Sequence, residues 1–245
     1  MMSEPVRIAM WSGPRNISTA MMRAWDTRDD SIVCDEPLYA HYLKTSGKPH
    51  PLAEEIIEKH NSEWRSVVDW LTGVLPDGKT LFYQKQMSHH LTPDVEKDWL
   101  LKVSNCFLIR NPREMLTSYL KKIPDPIAED TGYPQLVEIF NYVREKTGQV
   151  PMVVDSRDFL TDPAAMLKRL CGIFELEYSD SMLSWESGFR DTDGCWAEYW
   201  YTEVPTSTGF RSYRPKEEEV PPEFAALHDE CQALYEKLYE HRLTI

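Results

Sequence analysis

The sequence predicts a three-layer α/β/α protein around a central, mostly five-stranded parallel sheet, and two observations carry the prediction. Five short apolar runs, Val6–Trp11, Ser31–Cys34, Thr80–Lys85, Asn105–Ile109 and Val150–Asp155, have the length and residue types of strands buried on both faces. Between them lie segments with apolar residues at three- and four-residue spacing, the period of a half-buried helix. Strands alternating with helices make parallel crossovers the economical connection.

The first run ends in Ser12-Gly13-Pro14-Arg15-Asn16-Ile17-Ser18-Thr19, a small-residue turn with one arginine, and a helix is expected from about Ser18 to Arg28. A helix start offers free N–H groups and a positive dipole end to an anion. Ser12, Ser18 and Thr19 add hydroxyl donors, and Arg15 adds a permanent charge. The same residues also suit an ordinary helix capped by Ser18, with Arg15 in solvent.

The second run ends in Asp35-Glu36-Pro37. Ligands bind beyond the carboxyl ends of strands in open α/β sheets, so one of these acids is a candidate base. A plain turn, with Asp35 bonding backbone and Glu36 solvated, fits equally. Residues 40–52, punctuated by Gly47, Pro49 and Pro51, read as a loop, and Ala53–Leu71 reads as one helix. The third run leads through Lys85 to Ser88, His89 and His90. Lys85 points at an anion or snorkels at an edge, and the histidine pair offers a base, a cationic contact or a surface cap.

The fourth run passes directly into Arg110-Asn111-Pro112, with proline at its favoured first helical position. Arg110 at the strand tip and Ser118 two turns into the helix could hold a second phosphate, again near a helix N-terminus. Alternatively, Arg110 pairs with an acid and Ser118 packs. Helices are further expected over Pro134–Lys146, after Pro163, and over about Pro222–Leu243. From Asp191 to Lys216 the chain is aromatic and irregular, either a lid or a packed crossing loop.

The 245 residues suit a single domain, 1–245, with no linker at which to divide them. The net charge of −13 argues against a nucleic-acid or anionic-membrane binder, so any anionic ligand needs a local concentration of cations. Five widely spaced cysteines without a C-x-x-C pattern suggest reduced thiols. With neither a signal sequence nor a membrane-length apolar run, a cytoplasmic location is expected.

Taken together, these residues resemble the sulfotransferase family, whose members move a sulfuryl group from 3′-phosphoadenosine 5′-phosphosulfate (PAPS). Pro14-Arg15-Asn16-Ile17-Ser18-Thr19 is similar to the family's 5′-phosphosulfate loop, and Arg110-Asn111-Pro112 with Ser118-Tyr119 is similar to its 3′-phosphate motif. Glu36-Pro37-Leu38 and Val154–Leu170 resemble further family segments, in the family's order. Asn16 and Ile17 depart from the usual Ser and Gly, and the C-terminal R-K-G motif is missing. Arg211, Arg214 or Lys216 could stand in for it.

The resemblance implies a P-loop-NTPase-like fold and an in-line, metal-independent transfer to a hydroxyl or amine of a small-molecule or carbohydrate acceptor, leaving adenosine 3′,5′-bisphosphate (PAP). Residues 12–19, Arg110, Ser118 and Arg211 would bind the nucleotide. Arg15 would also take up charge on the leaving oxygen, and Glu36, or else His89 or His90, would be the base. Two other readings stand beside it. An ATP- or GTP-dependent small-molecule kinase would need G-x-x-x-x-G-K-[ST] and a magnesium-binding acid, for which Asp155 is the candidate. A catalytically silent nucleotide-binding protein would keep the fold alone.

Overall fold

The computed structural model describes residues 4–201 and 203–245. Five parallel strands, β1 (Val6–Ser12), β2 (Ser31–Asp35), β3 (Leu81–Met87), β4 (Ser104–Ile109) and β5 (Met152–Asp155), form one sheet in the order β2-β3-β1-β4-β5. β1 is central, paired with β3 from Val6 opposite Leu81 and with β4 from Ile8 opposite Ser104. The helices are α1 (Ser18–Asp26), α2 (Tyr39–Ser46), α3 (Ala53–Lys59), α4 (Trp64–Thr72), α5 (Pro112–Tyr119), α6 (Ala128–Thr131), α7 (Tyr133–Thr147), α8 (Ser156–Thr161), α9 (Pro163–Ile173), α10 (Ala197–Trp200) and α11 (Ala225–Tyr239).

Side chains alternate across a strand, and β1 buries both sets. Ala9 and Trp11 join the core made with α4, α5, α7 and α11, whereas Ile8 and Met10 join the core made with α1, α8 and α9. The expected three layers follow. Trp11 donates its indole N–H to Asn105 Oδ1 at 2.9 Å, a buried tie between β1 and β4. A third cluster beyond β2 joins Tyr39, Tyr42 and Leu43 of α2 to Trp196, Ala197 and Tyr201.

Several expected boundaries change. Residues 40–52 are not all loop, because α2 occupies their first half, driven by the burial of Tyr39, Tyr42 and Leu43. Gly47, read as a loop signal, is the left-handed cap at its end (φ 63°) and donates to Leu43 O at 3.0 Å. The stretch Ala53–Leu71 is two helices. Asn61 breaks it, accepting from Glu63 N–H and donating to Ser66 Oγ, both at 2.9 Å. The first helix ends at Asp26 and the last at Tyr239. Beyond Tyr239 the chain joins the sheet edge, with Leu243 N–H on Val153 O at 2.8 Å.

Candidate active site

The turn after β1 is tied to the strand beside it. Asn16 donates to Leu108 O of β4 at 2.9 Å and accepts from Ile17 N–H at 2.8 Å. The Ile17 side chain packs among the residues between α1 and the sheet. It therefore serves as an apolar plug at the place where the family pattern has glycine. α1 has neither a side-chain cap nor an acid in its first turn, and its residues Ser18, Thr19 and Ala20 border a cavity. An uncapped helix start facing a cavity is the arrangement that accepts an anion.

Arg15 turns the loop with a left-handed backbone (φ 56°), which costs an L-residue about 1–3 kcal/mol. Ser12 and Gly13 lie beneath the loop and do not line the cavity. Ser12 is buried with its hydroxyl on Met87 Sδ at 3.7 Å, and a Cβ on Gly13 would sit 2.4 Å from the Thr131 carbonyl oxygen. The cavity-lining part of the turn begins at Pro14.

The second expected anion segment meets the first directly. Arg15 Nε donates to Ser118 Oγ at 3.0 Å, and Arg110 donates to the Arg15 carbonyl at 2.7 Å. The start of α5 is itself capped, because Asn111 accepts from the N–H groups of Arg113 and Glu114, so the side chains of Arg110 and Ser118 are what this segment offers. Arg110 also pairs with Glu114 at 3.2 Å, and Tyr213 donates to the other Glu114 oxygen at 2.6 Å. Burial, and then the neighbouring Arg110 charge, lower the Arg15 pKa from the usual arginine range. The same two causes lower Lys216, so three cations share one end of the cavity in a strongly acidic chain.

The opposite end is built on β2 and β3. Glu36 follows β2 with a left-handed backbone (φ 45°). Its Oε1 accepts from Lys85, which also donates to Asp35 Oδ1 at 2.7 Å and Tyr201 OH at 2.8 Å. Burial, reinforced by Asp35 and opposed by Lys85, raises the Glu36 pKa from the ordinary carboxylate range. Burial works against the Lys85 charge, but Asp35 and Glu36 outweigh it and hold the ammonium well above its usual value. The anion that Lys85 faces is thus this acid pair.

His89 and His90 are buried. Burial, then the His50 charge, pushes His89 down to about 3, and burial with the neighbouring imidazoles pushes His90 well down too. Both are neutral at pH 7, and His90 Nδ1 stands 3.9 Å from Glu36 Oε2.

One cavity of about 390 Å³ gathers Pro14 to Thr19, Glu36, Lys85, His89, His90, Arg110, Ser118, Arg211 and Lys216. Arg211 is exposed and pairs with Glu203 at 2.6 Å. Arg214 is not among the lining residues. Tyr39 and His50 also line the cavity and were not expected there, and Trp200 and Tyr201 line it from the aromatic segment read as either a lid or a packed loop. The aromatic composition of residues 196–201 was the available signal, but aromatic residues in irregular segments more often only pack. Among the described residues, no group of three His, Cys, Asp or Glu side chains gathers as a metal site, and no helix is long and apolar enough to cross a membrane.

A parallel sheet with a turn leading into an uncapped helix after its central strand is the P-loop-like arrangement of α/β proteins. Residues 6–224 match the family model described as a sulfotransferase domain, and the chain belongs to that family. It is similar to branched-chain-amino-acid aminotransferase-like protein 2 of Arabidopsis thaliana, with 34% identity over 235 residues, 96% of this chain and 41% of that protein. The corresponding protein 1 is 33% identical over 241 residues, 98% of this chain and 43% of that protein. The chain therefore spans about two-fifths of the length of these relatives.

Solved structures agree on the fold. The sulfotransferase domain of the Synechococcus PCC 7002 olefin synthase aligns with a TM-score of 0.50 and 14% identity, covering 94% of this chain and 95% of that one. A sulfotransferase from Alicyclobacillus acidocaldarius aligns with a TM-score of 0.51 and 12% identity, covering 99% and 98%.

Proposed function

We propose that this domain transfers a sulfuryl group from PAPS to a hydroxyl or amine of a small acceptor. The observation that carries the reading is the polarity of one cavity, with Arg15, Arg110 and Lys216 at one end and Glu36 at the other. The first-turn amides and hydroxyls of Ser18 and Thr19, with Arg15, suit the 5′-phosphosulfate. Arg110 and Ser118 suit the 3′-phosphate, the group that separates PAPS from ATP. Glu36 suits the base, because it lines the cavity and burial makes its carboxylate more basic than an ordinary glutamate. His89 and His90, both neutral, provide a low-charge wall beside it.

The kinase reading finds less support. The turn lacks the lysine and second glycine of a nucleoside-triphosphate loop, and the carboxylate of Asp155 is already engaged. Its Oδ1 accepts from Arg157 and Asp158 N–H groups and its Oδ2 from Tyr235 OH at 2.8 Å.

The test incubates the protein with PAPS and a metabolite extract and searches by mass for sulfated products. A product made by the wild type and not by Glu36→Gln is expected. An equal product yield from both proteins would remove Glu36 from the chemistry, and no product from any extract would contradict transfer itself.

A further inference from the structure

The acidic end of the cavity contains more than a base requires. An ammonium has three N–H donors, and those of Lys85 are all committed, to Asp35, Glu36 and Tyr201. Tyr201 donates its own hydroxyl hydrogen bond to Asp35 Oδ2 at 2.6 Å, which closes a hydrogen-bonded ring through Lys85, Tyr201 and Asp35. Gly194 N–H approaches the same oxygen at 3.4 Å. Both Asp35 oxygens are therefore engaged. Glu36 has only Oε1 engaged, and its Oε2 makes no hydrogen bond among the described residues. The Asp35 and Lys85 side chains are each 1% exposed, so water does not screen their charges.

We propose that Tyr201 and Asp35 are positioning residues whose ring fixes Lys85 and leaves Glu36 Oε2 as the open proton acceptor of the cluster. The inference rests on reading Glu36 as the base. Five groups face Glu36: Asp35 from its own strand, Lys85 from β3, His90 from the turn after β3, Tyr39 from α2, and Tyr201 after α10. Lys85 is the cation among them, since burial keeps His90 neutral. Two carboxylates share one ammonium, and the excess negative charge falls on the less engaged partner, Glu36.

Tyr201 moderates that charge by bonding Asp35, and it stands 3.5 Å from Glu36 Oε1. Removing its hydroxyl leaves Asp35 a stronger negative neighbour and raises the proton affinity of Glu36. Neutralising Asp35 does the reverse. Tyr201 reaches the ring from a crossing segment that the buried Arg23–Asp193 pair, at 2.6 Å, anchors to α1. The basicity of Glu36 thus depends on the seating of that segment.

The test is a carbon-13 NMR titration of carboxyl-labelled glutamate in the full chain, with the Glu36 resonance identified by its loss in Glu36→Gln. Tyr201→Phe, which keeps the ring and the fold, should raise the Glu36 midpoint by about one pH unit. Asp35→Asn should lower it by a similar amount, and the double variant should lie nearer Asp35→Asn than the sum of the single shifts, because only the long contact of Tyr201 with Glu36 Oε1, at 3.5 Å, then remains. An unmoved midpoint in Tyr201→Phe, or additive shifts in the double variant, would overturn the proposal. The titration needs no sulfuryl donor, so its outcome is independent of whether the protein uses PAPS.

Discussion

Arg15 Nε donates to Ser118 Oγ at 3.0 Å across 103 positions of sequence separation. The bond joins the turn after β1 to the second turn of α5, so the two segments proposed to recognise anions form one wall. In the proposed function a 3′,5′-bisphosphate would meet both at once, whereas a ligand with phosphates at one end alone would meet only the first. Ser118→Ala should accordingly weaken PAP about tenfold, the worth of one charge-assisted hydrogen bond, with ATP affinity unchanged in the same calorimetric titrations. An equal loss for both ligands would mean that Ser118 acts through Arg15 and does not meet the 3′-phosphate.

Arg110 has more to contribute, because a guanidinium can engage phosphate with two donors. Arg110→Ala should weaken PAP by about 10- to 100-fold while the melting temperature changes little. Unaltered affinity would show that its pairing with Glu114 is its whole role.

Glu36→Gln should lower transfer by about 100-fold or more and leave PAP binding within about twofold of wild type. The wild-type rate should rise with pH as Glu36 loses its proton. Because burial raises this pKa, the acid limb should lie above the ordinary glutamate value of about 4.3. A limb at or below that value would remove Glu36 as the base.

His89 and His90 bind protons more weakly folded than unfolded. The unfolded chain takes up the extra protons below about pH 6.5, so each histidine makes stability fall with decreasing pH from there, by up to about 1.4 kcal/mol per pH unit. Urea midpoints should drop between pH 7.5 and 5.5, and the drop should shrink in His89→Asn. Equal slopes in both proteins would mean that His89 titrates normally.

Gly13→Ala should destabilise the protein by about 1–3 kcal/mol, since the new methyl meets the Thr131 carbonyl and the backbone must move. Thermal denaturation reads this, and an unchanged melting temperature would contradict the close packing.

The sheet was legible because buried parallel strands are short apolar runs, and each of the five expected runs overlaps a strand. Helix α2 was hidden because its apolar face, Tyr39, Tyr42 and Leu43, packs on Trp196, Ala197 and Tyr201 far along the chain. Local punctuation by Gly47 and two prolines outweighed that distant partner. Arg15, Glu36 and Arg110 could be singled out because Glu36 and Arg110 directly follow strands and Arg15 lies three residues beyond one. The Tyr201–Asp35 bond could not, since it joins residues 166 positions apart and no local pattern encodes such a contact. Ile17 made sense only once its place between α1 and the sheet was visible.

The claim that two anion sites form one clamp is tested most directly by calorimetry with PAP in the absence of metal, set against ATP with magnesium. The geometry predicts tighter binding of PAP, with a single site and an affinity that falls in Arg110→Ala. Tighter binding of ATP with magnesium, or PAP affinity indifferent to Arg110, would contradict it.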